Sequence, residues 1–119
     1  MITNRCRQFL ASSLKVNIDS GFSEVGYGGN STNPFSSTLD VPAGSGVPVT
    51  IQTANADENV IEIKASVDGA NVTGRVLREL GFFEHPNAGG AMLARVNFDG
   101  IGPFSAGETI EFFLTIEVE

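Results

Sequence analysis

The C-terminal run Ile110, Phe112, Leu114, Ile116 and Val118 alternates with Thr109, Glu111, Thr115 and Glu117. Successive side chains leave a strand on opposite faces, so a period of two marks a strand with one face in a core and the other in water. The same period recurs upstream. Val47, Val49 and Ile51 alternate with Pro48, Thr50 and Gln52, and Ile61, Ile63, Ala65 and Val67 alternate with Glu62, Lys64, Ser66 and Asp68. Met92, Ala94, Val96 and Phe98 face one way, and Leu93, Arg95 and Asn97 the other. A further run opens at Val72, Gly74 and Val76 and continues through Leu80 and Phe82. Turn signals stand at Asp68-Gly69, Asp99-Gly100 and Gly102-Pro103. Several such runs in 119 residues predict one mainly β domain, an antiparallel β-sandwich over 1–119.

The first third of the chain breaks this period. In 1–15, Ile2, Cys6, Phe9, Leu10 and Leu14 recur at spacings of three and four, as on one face of a helix capped by Thr3 or Asn4. On that face Cys6 is expected to be a buried, inert thiol. The segment 1–15 is too short in its apolar run to be a secretory signal. The segment 16–46 is rich in Gly, Asn and Pro, with short strands expected at 15–18 and 24–27 and a long Gly/Asn/Ser-rich loop at 28–39. A structureless loop of that length in a small domain is usually functional or held by a partner. The core strands are expected in 47–119.

Charge narrows the partners. The net charge is −7. Residues 1–15 hold Arg5, Arg7 and Lys15 and no acid, so all the acidic residues follow them. A general nucleic-acid binder needs clustered cations for phosphates and is disfavoured. No apolar stretch approaches the length of a membrane-spanning helix. The single cysteine excludes an intrachain disulfide.

The residues of catalysis are sparse. The one histidine, His85, sits where a strand runs into a Pro-Asn-Ala-Gly-Gly loop, and an exposed loop residue is the plain reading. A Cys6–His85 dyad is conceivable, but Cys6 lies at an apolar helical position. One His and one Cys do not make a zinc site, and Asp57-Glu58 lacks the frame of an EF-hand loop. The run Gly26-Tyr27-Gly28-Gly29 has neither the G-K-[ST] ending nor the helix of a phosphate loop, so a turn needing positive φ explains it. No metal or cofactor is expected. With no Trp and only Tyr27 to stack on a sugar, a lectin reading is weak. Glu79 stands among apolar residues in Val76–Phe83, on the opposite strand face from Arg78. If buried, it needs Arg95 or backbone donors as partners, and a structural role is favoured over a catalytic one.

The stretches Arg78-Glu79-Leu80-Gly81-Phe82-Phe83-Glu84, Gly89-Gly90-Ala91-Met92-Leu93-Ala94-Arg95-Val96-Asn97-Phe98 and Thr109-Ile110-Glu111-Phe112-Phe113-Leu114-Thr115-Ile116 resemble a family of small tailed-bacteriophage virion proteins, often labelled tail-fibre or minor structural proteins. The segment Val25-Gly26-Tyr27-Gly28, with Asn33-Pro34 and Thr38-Leu39, resembles an earlier motif of that family. The similarity is dense only over 76–116. Its motifs are glycines and strand residues, and Glu84-His85-Pro86 departs from the family's small polar loop. The resemblance implies a non-enzymatic β-sandwich that assembles in multiple copies in the virion, with a trimer as the expected state, either as a capsid decoration or cement protein or as a tail, collar or fibre-attachment subunit. Its partners would be copies of itself and other virion proteins, with no nucleic acid or membrane. Contact residues are expected in the basic helix and the long loop: Arg5, Arg7, Phe9, Leu10, Tyr27, Asn30 and Phe35. The alternatives are an extracellular glycan- or receptor-binding module and, far behind, a small hydrolase working through His85.

Overall fold

The computed structural model describes residues 1–29, 37–44, 46–57 and 59–119. Helix α1 (Asn4–Ser20) is followed by β1 (Phe22–Gly26), β2 (Val49–Asp57), β3 (Val60–Asp68), β4 (Leu77–Phe83), β5 (Met92–Ile101) and β6 (Thr109–Glu117). The strands form two antiparallel three-stranded sheets, β1-β4-β5 and β2-β3-β6. The chain is the mainly β sandwich that the alternation predicts, with one N-terminal helix.

In the β2-β3-β6 sheet, Ile61, Ile63, Ala65 and Val67 of β3 are buried and meet Ile110, Phe112 and Leu114 of β6 on the inner face. The inner faces of the two sheets touch where Phe98 of β5 packs on Phe112 of β6 at 5.2 Å between ring centroids. Helix α1 packs on β2 and β3. Its residues Ala11 and Ile18 are each 1% exposed, and both join the cluster of Ile61 and Ile63. Burying an isoleucine fully contributes about 2–3 kcal/mol, so Ile18 is a main anchor of the helix.

The structure corrects several boundaries. Residues 15–18 are helical, not extended, because α1 runs on to Ser20. Ala11, Leu14 and Ile18 recur at three and four, and carrying Ile18 into the core requires the extra turn. Tertiary burial overrides the modest helix propensity of Val16 and Ile18. The strand expected at 24–27 begins two residues earlier, at Phe22. The run opening at Val72 becomes a strand only at Leu77, since Gly69–Asn71 is a single 3-10 turn whose Ala70 N–H donates to Asp68 Oδ1 at 3.0 Å. Asp99-Gly100 is not a turn: β5 continues to Ile101, which pairs with Leu77, and the chain reverses beyond it.

Strand β4 is buried on both faces, with only Arg78 exposed. Leu80 and Phe82 point into the core. The opposite face, Glu79, Gly81 and Phe83, lies under the segment around Leu39, which is 3% exposed and reaches Gly81. Leu39, near the end of the expected loop, therefore covers part of the outer face of the β1-β4-β5 sheet. Residues 41–43 then pair with β1, through Tyr27 N–H to Val41 O at 2.8 Å and Ala43 N–H to Val25 O at 2.9 Å.

Candidate functional site

Two features stand apart from ordinary packing. One is polar and lies beneath the long loop; the other is apolar and lies on the helix.

Glu79 is fully buried. Its Oε2 accepts the backbone N–H of Gly28 and of Val41, each at 2.9 Å, and its Oε1 accepts that of Asp40 at 2.8 Å. Arg95 of the neighbouring strand places Nη2 4.0 Å from Glu79 Oε1 and Nη1 3.8 Å from Asp40 Oδ1, and donates to the Thr38 carbonyl. Both partners anticipated for a buried Glu79, Arg95 and backbone donors, are thus present. The carboxylate holds the two stems of the loop together, residue 28 on one side and residues 40 and 41 on the other.

This explains the glycine run better than a turn does. A Cβ on Gly26 would lie 2.5 Å from Glu79 Oε2, and one on Gly28 would lie 2.5 Å from Asp40 Cβ. These two positions are glycine because backbone must approach the buried carboxylate. Positive φ (74°) is needed only at Gly29.

The helix is different. No residue before Ala11 is buried. Ile2, Cys6, Phe9 and Leu10, expected on the buried stripe, are exposed, and only Leu14 of that set packs on the core. The reason is geometric. At about 100° per residue, Phe9 lies about 160° around the helix from Ala11, and the core engages the side bearing Ala11, Leu14 and Ile18. Cys6 is accordingly a solvent-facing thiol. The outer stripe of Ile2, Phe9 (70% exposed) and Val16 (64%) has no cover among the described residues.

The N-terminus of α1 is capped by Thr3, whose Oγ1 accepts the Cys6 N–H at 3.2 Å. Arg5 donates to Gln8 and Arg7 to Asn4, so among the described residues neither cation has an acidic partner. The other end of α1 is tied to β2, where the Thr53 hydroxyl donates to Asp19, which also pairs with Lys15 at 2.9 Å. Burial raises the Asp19 carboxyl, but the Thr53 hydroxyl and the Lys15 ammonium together outweigh it and hold its pKa below the usual carboxylate value.

Of the remaining expected contact residues, Tyr27 is half-buried, and its ring is covered by the Arg75 guanidinium at 3.8 Å. That face is therefore not free to stack on a sugar. Asn30 and Phe35 lie outside the described residues. His85 is exposed and caps the Pro86–Ala88 turn, its Nδ1 accepting the Asn87 N–H at 3.0 Å. Among the described residues it makes no hydrogen bond to Cys6, and no group of three His, Cys, Asp or Glu side chains could hold a metal ion.

Sequence reasoning missed Phe113. It is 74% exposed on the outer face of β6, where its neighbours two positions away are Glu111 and Thr115. The signal was the one break in that strand's polar series. Beside it lies an open depression of about 470 Å³ lined by Gln52, Ala54, Glu62, Lys64, Phe113 and Thr115.

No protein-family model matches the chain, and no curated protein matches it in sequence.

Proposed function

We propose that this protein is a non-enzymatic structural subunit of a tailed-phage virion. It assembles in multiple copies on the particle, as a capsid decoration or cement protein or as a tail, collar or fibre-attachment subunit. The observation that carries the reading is the exposed apolar stripe of α1. Isolated surface apolar residues are ordinary, but Phe9, Leu10 and Val16 share one helix, with Ile2 just before it. Such a stripe, beside Arg5, which has no acidic partner among the described residues, suits a protein partner. The loop stems at residue 28 and residues 40 and 41, tied together by Glu79, border a second expected contact segment, and the resemblance to virion proteins supports a role for both in an assembly.

Two measurements test the reading. Sedimentation of the purified chain should show concentration-dependent multimers, and a strict monomer would refute self-assembly. Antibody-labelled particles in electron micrographs should carry the label at a fixed position, and unlabelled particles would refute the virion assignment.

A further inference from the structure

Among the described residues the exposed large apolar side chains are Met1 and Ile2 just before α1, Phe9, Leu10 and Val16 within it, Val41 and Ile101 elsewhere, and Phe113, which stands alone on the outer face of the β2-β3-β6 sheet. The α1 patch and Phe113 lie on opposite sides of that sheet. Helix α1 sits on the inner side: Ala11 and Ile18 pack with Ile61 and Ile63, and Asp19 meets Thr53, which has the inward parity of Val49 and Ile51. Phe113 has the opposite parity to Phe112 and Leu114 and points outward. A molecule therefore cannot fold its own helix onto its own Phe113.

The patches are complementary. The helix and the residues just before it offer Ile2, Phe9 and Leu10 with Arg5, which lies about 40° around the helix from Phe9, whereas Arg7 lies about 160° away on the other side. The sheet offers Phe113, the adjoining depression, and Glu62 and Glu117, which make no ion pair among the described residues. Lys64 on the same face is already paired with Glu111 at 3.4 Å. The widths agree as well. The row Gln52–Lys64–Phe113 crosses all three strands, which spans about 10 Å at about 4.8 Å per strand. That is about the diameter of one helix with its side chains.

We infer that the first half of α1 of one copy docks on the outer face of the β2-β3-β6 sheet of the next copy, with Phe9 against Phe113 and Arg5 facing Glu62 and Glu117. The inference deepens the self-assembly reading above and rests on it. The contact is head-to-tail: each copy gives one patch and receives the other. Such contacts close into rings or extend as stacks, according to the rotation between copies.

The test uses two single variants of the full chain, Phe9→Glu and Phe113→Glu, so that the two altered patches repel each other. Both side chains are exposed, so circular dichroism should find both variants folded. Sedimentation should find each variant alone at least tenfold weaker in association than the parent. An equimolar mixture should form a one-to-one dimer and nothing larger, because one intact helix and one intact sheet face remain. Loss of assembly with Phe9→Glu but not with Phe113→Glu would overturn the inference and leave self-assembly standing. Indifference to both would do the same. A parent chain that stays monomeric would overturn both the inference and the self-assembly reading. If either variant is unfolded, Thr115→Cys in the parent chain decides. Diamide oxidation should then give a ladder of chains joined through Cys6, whereas dimers alone would show helix-to-helix contact and refute the docking.

Discussion

Replacing Glu79 by glutamine exchanges one carboxylate oxygen for an amide that can only donate. The best fit keeps the carbonyl at the Oε2 position, where it still accepts from Gly28 and Val41. The amide then faces the Asp40 N–H, a donor against a donor, and the negative charge beside Arg95 is lost. A hydrogen bond to a charged group contributes about 1.5–3 kcal/mol, and a donor left unsatisfied in a buried site costs about 1–3 kcal/mol. The donors here are partly buried, so the lower part of each range applies, and Glu79→Gln should cost about 2 kcal/mol. Glu79→Ala strands all three N–H groups and leaves a void, which should cost about 4 kcal/mol or more, a large part of a domain's total of about 5–15 kcal/mol. Urea unfolding followed by circular dichroism measures both. At about 4 °C per kcal/mol for a chain of this size, Glu79→Gln should melt about 8 °C lower. Protease cleavage within 28–39 should also accelerate, since the stems lose their common acceptor. The exposed control Glu62→Gln should stay within about 0.5 kcal/mol of the parent. If Glu79→Gln matches that control in both stability and cleavage, the carboxylate does not anchor the loop.

Four further predictions use other parts of the structure. Gly26→Ala should destabilise by about 1–3 kcal/mol by forcing Glu79 and the Val41 carbonyl apart, while Gly107→Ala, with nothing within 4 Å of its added carbon, should be neutral or slightly stabilising; equal melting temperatures would refute the close-approach account. Asp19 titrates below its ordinary value of 3.8, as Glu108 does below 4.5 because the Ser105 N–H and hydroxyl both donate to it, so the folded state binds fewer protons than the unfolded one near pH 4. Their stabilisation is complete above about pH 5 and fades as the pH falls through and below 4, so Asp19→Asn should flatten the acid decline of the melting temperature, and an unchanged slope would contradict the assignment. Reversing both cations, Arg5→Glu with Arg7→Glu, should weaken self-association, and added salt should weaken the parent in the same direction; assembly indifferent to both would strip the charge asymmetry of meaning. Removal of residues 1–8 should leave the melting temperature within a few degrees of the parent, whereas removal of 1–15 should unfold the chain, because only the longer cut takes Ala11 and Leu14 from the core; a stable 1–15 deletion would refute that packing.

The strands were legible where one face meets water. In β3 and β6 the alternation from Ile61 to Val67 and from Ile110 to Val118 carries both the strand and the face that is buried. It failed to describe β4, because Leu80, Gly81, Phe82 and Phe83 are covered on one side by the core and on the other by loop residues distant in sequence. Glu79 showed itself as a charge among apolar residues, and Arg95 could be named as its partner, but the loop stems supplying its donors could not be identified as such. Cys6 and Phe9 misled for a related reason. Spacings of three and four identify an apolar stripe but not what it meets, and α1 carries apolar residues on two sides.

What the sequence determined by itself was periodic: a β-sandwich of alternating strands, a capped basic helix before it, and acidic strands after. These follow from side-chain direction, which is a local property of helix and strand. Only the tertiary structure decided which side of α1 is core, why Gly26 and Gly28 are glycine, and that the exposed patches of Phe9 and Phe113 lie on opposite sides of one sheet. Each depends on which distant segments come together, and burial, hydrogen-bond satisfaction and steric approach are set by that meeting and not by spacing along the chain.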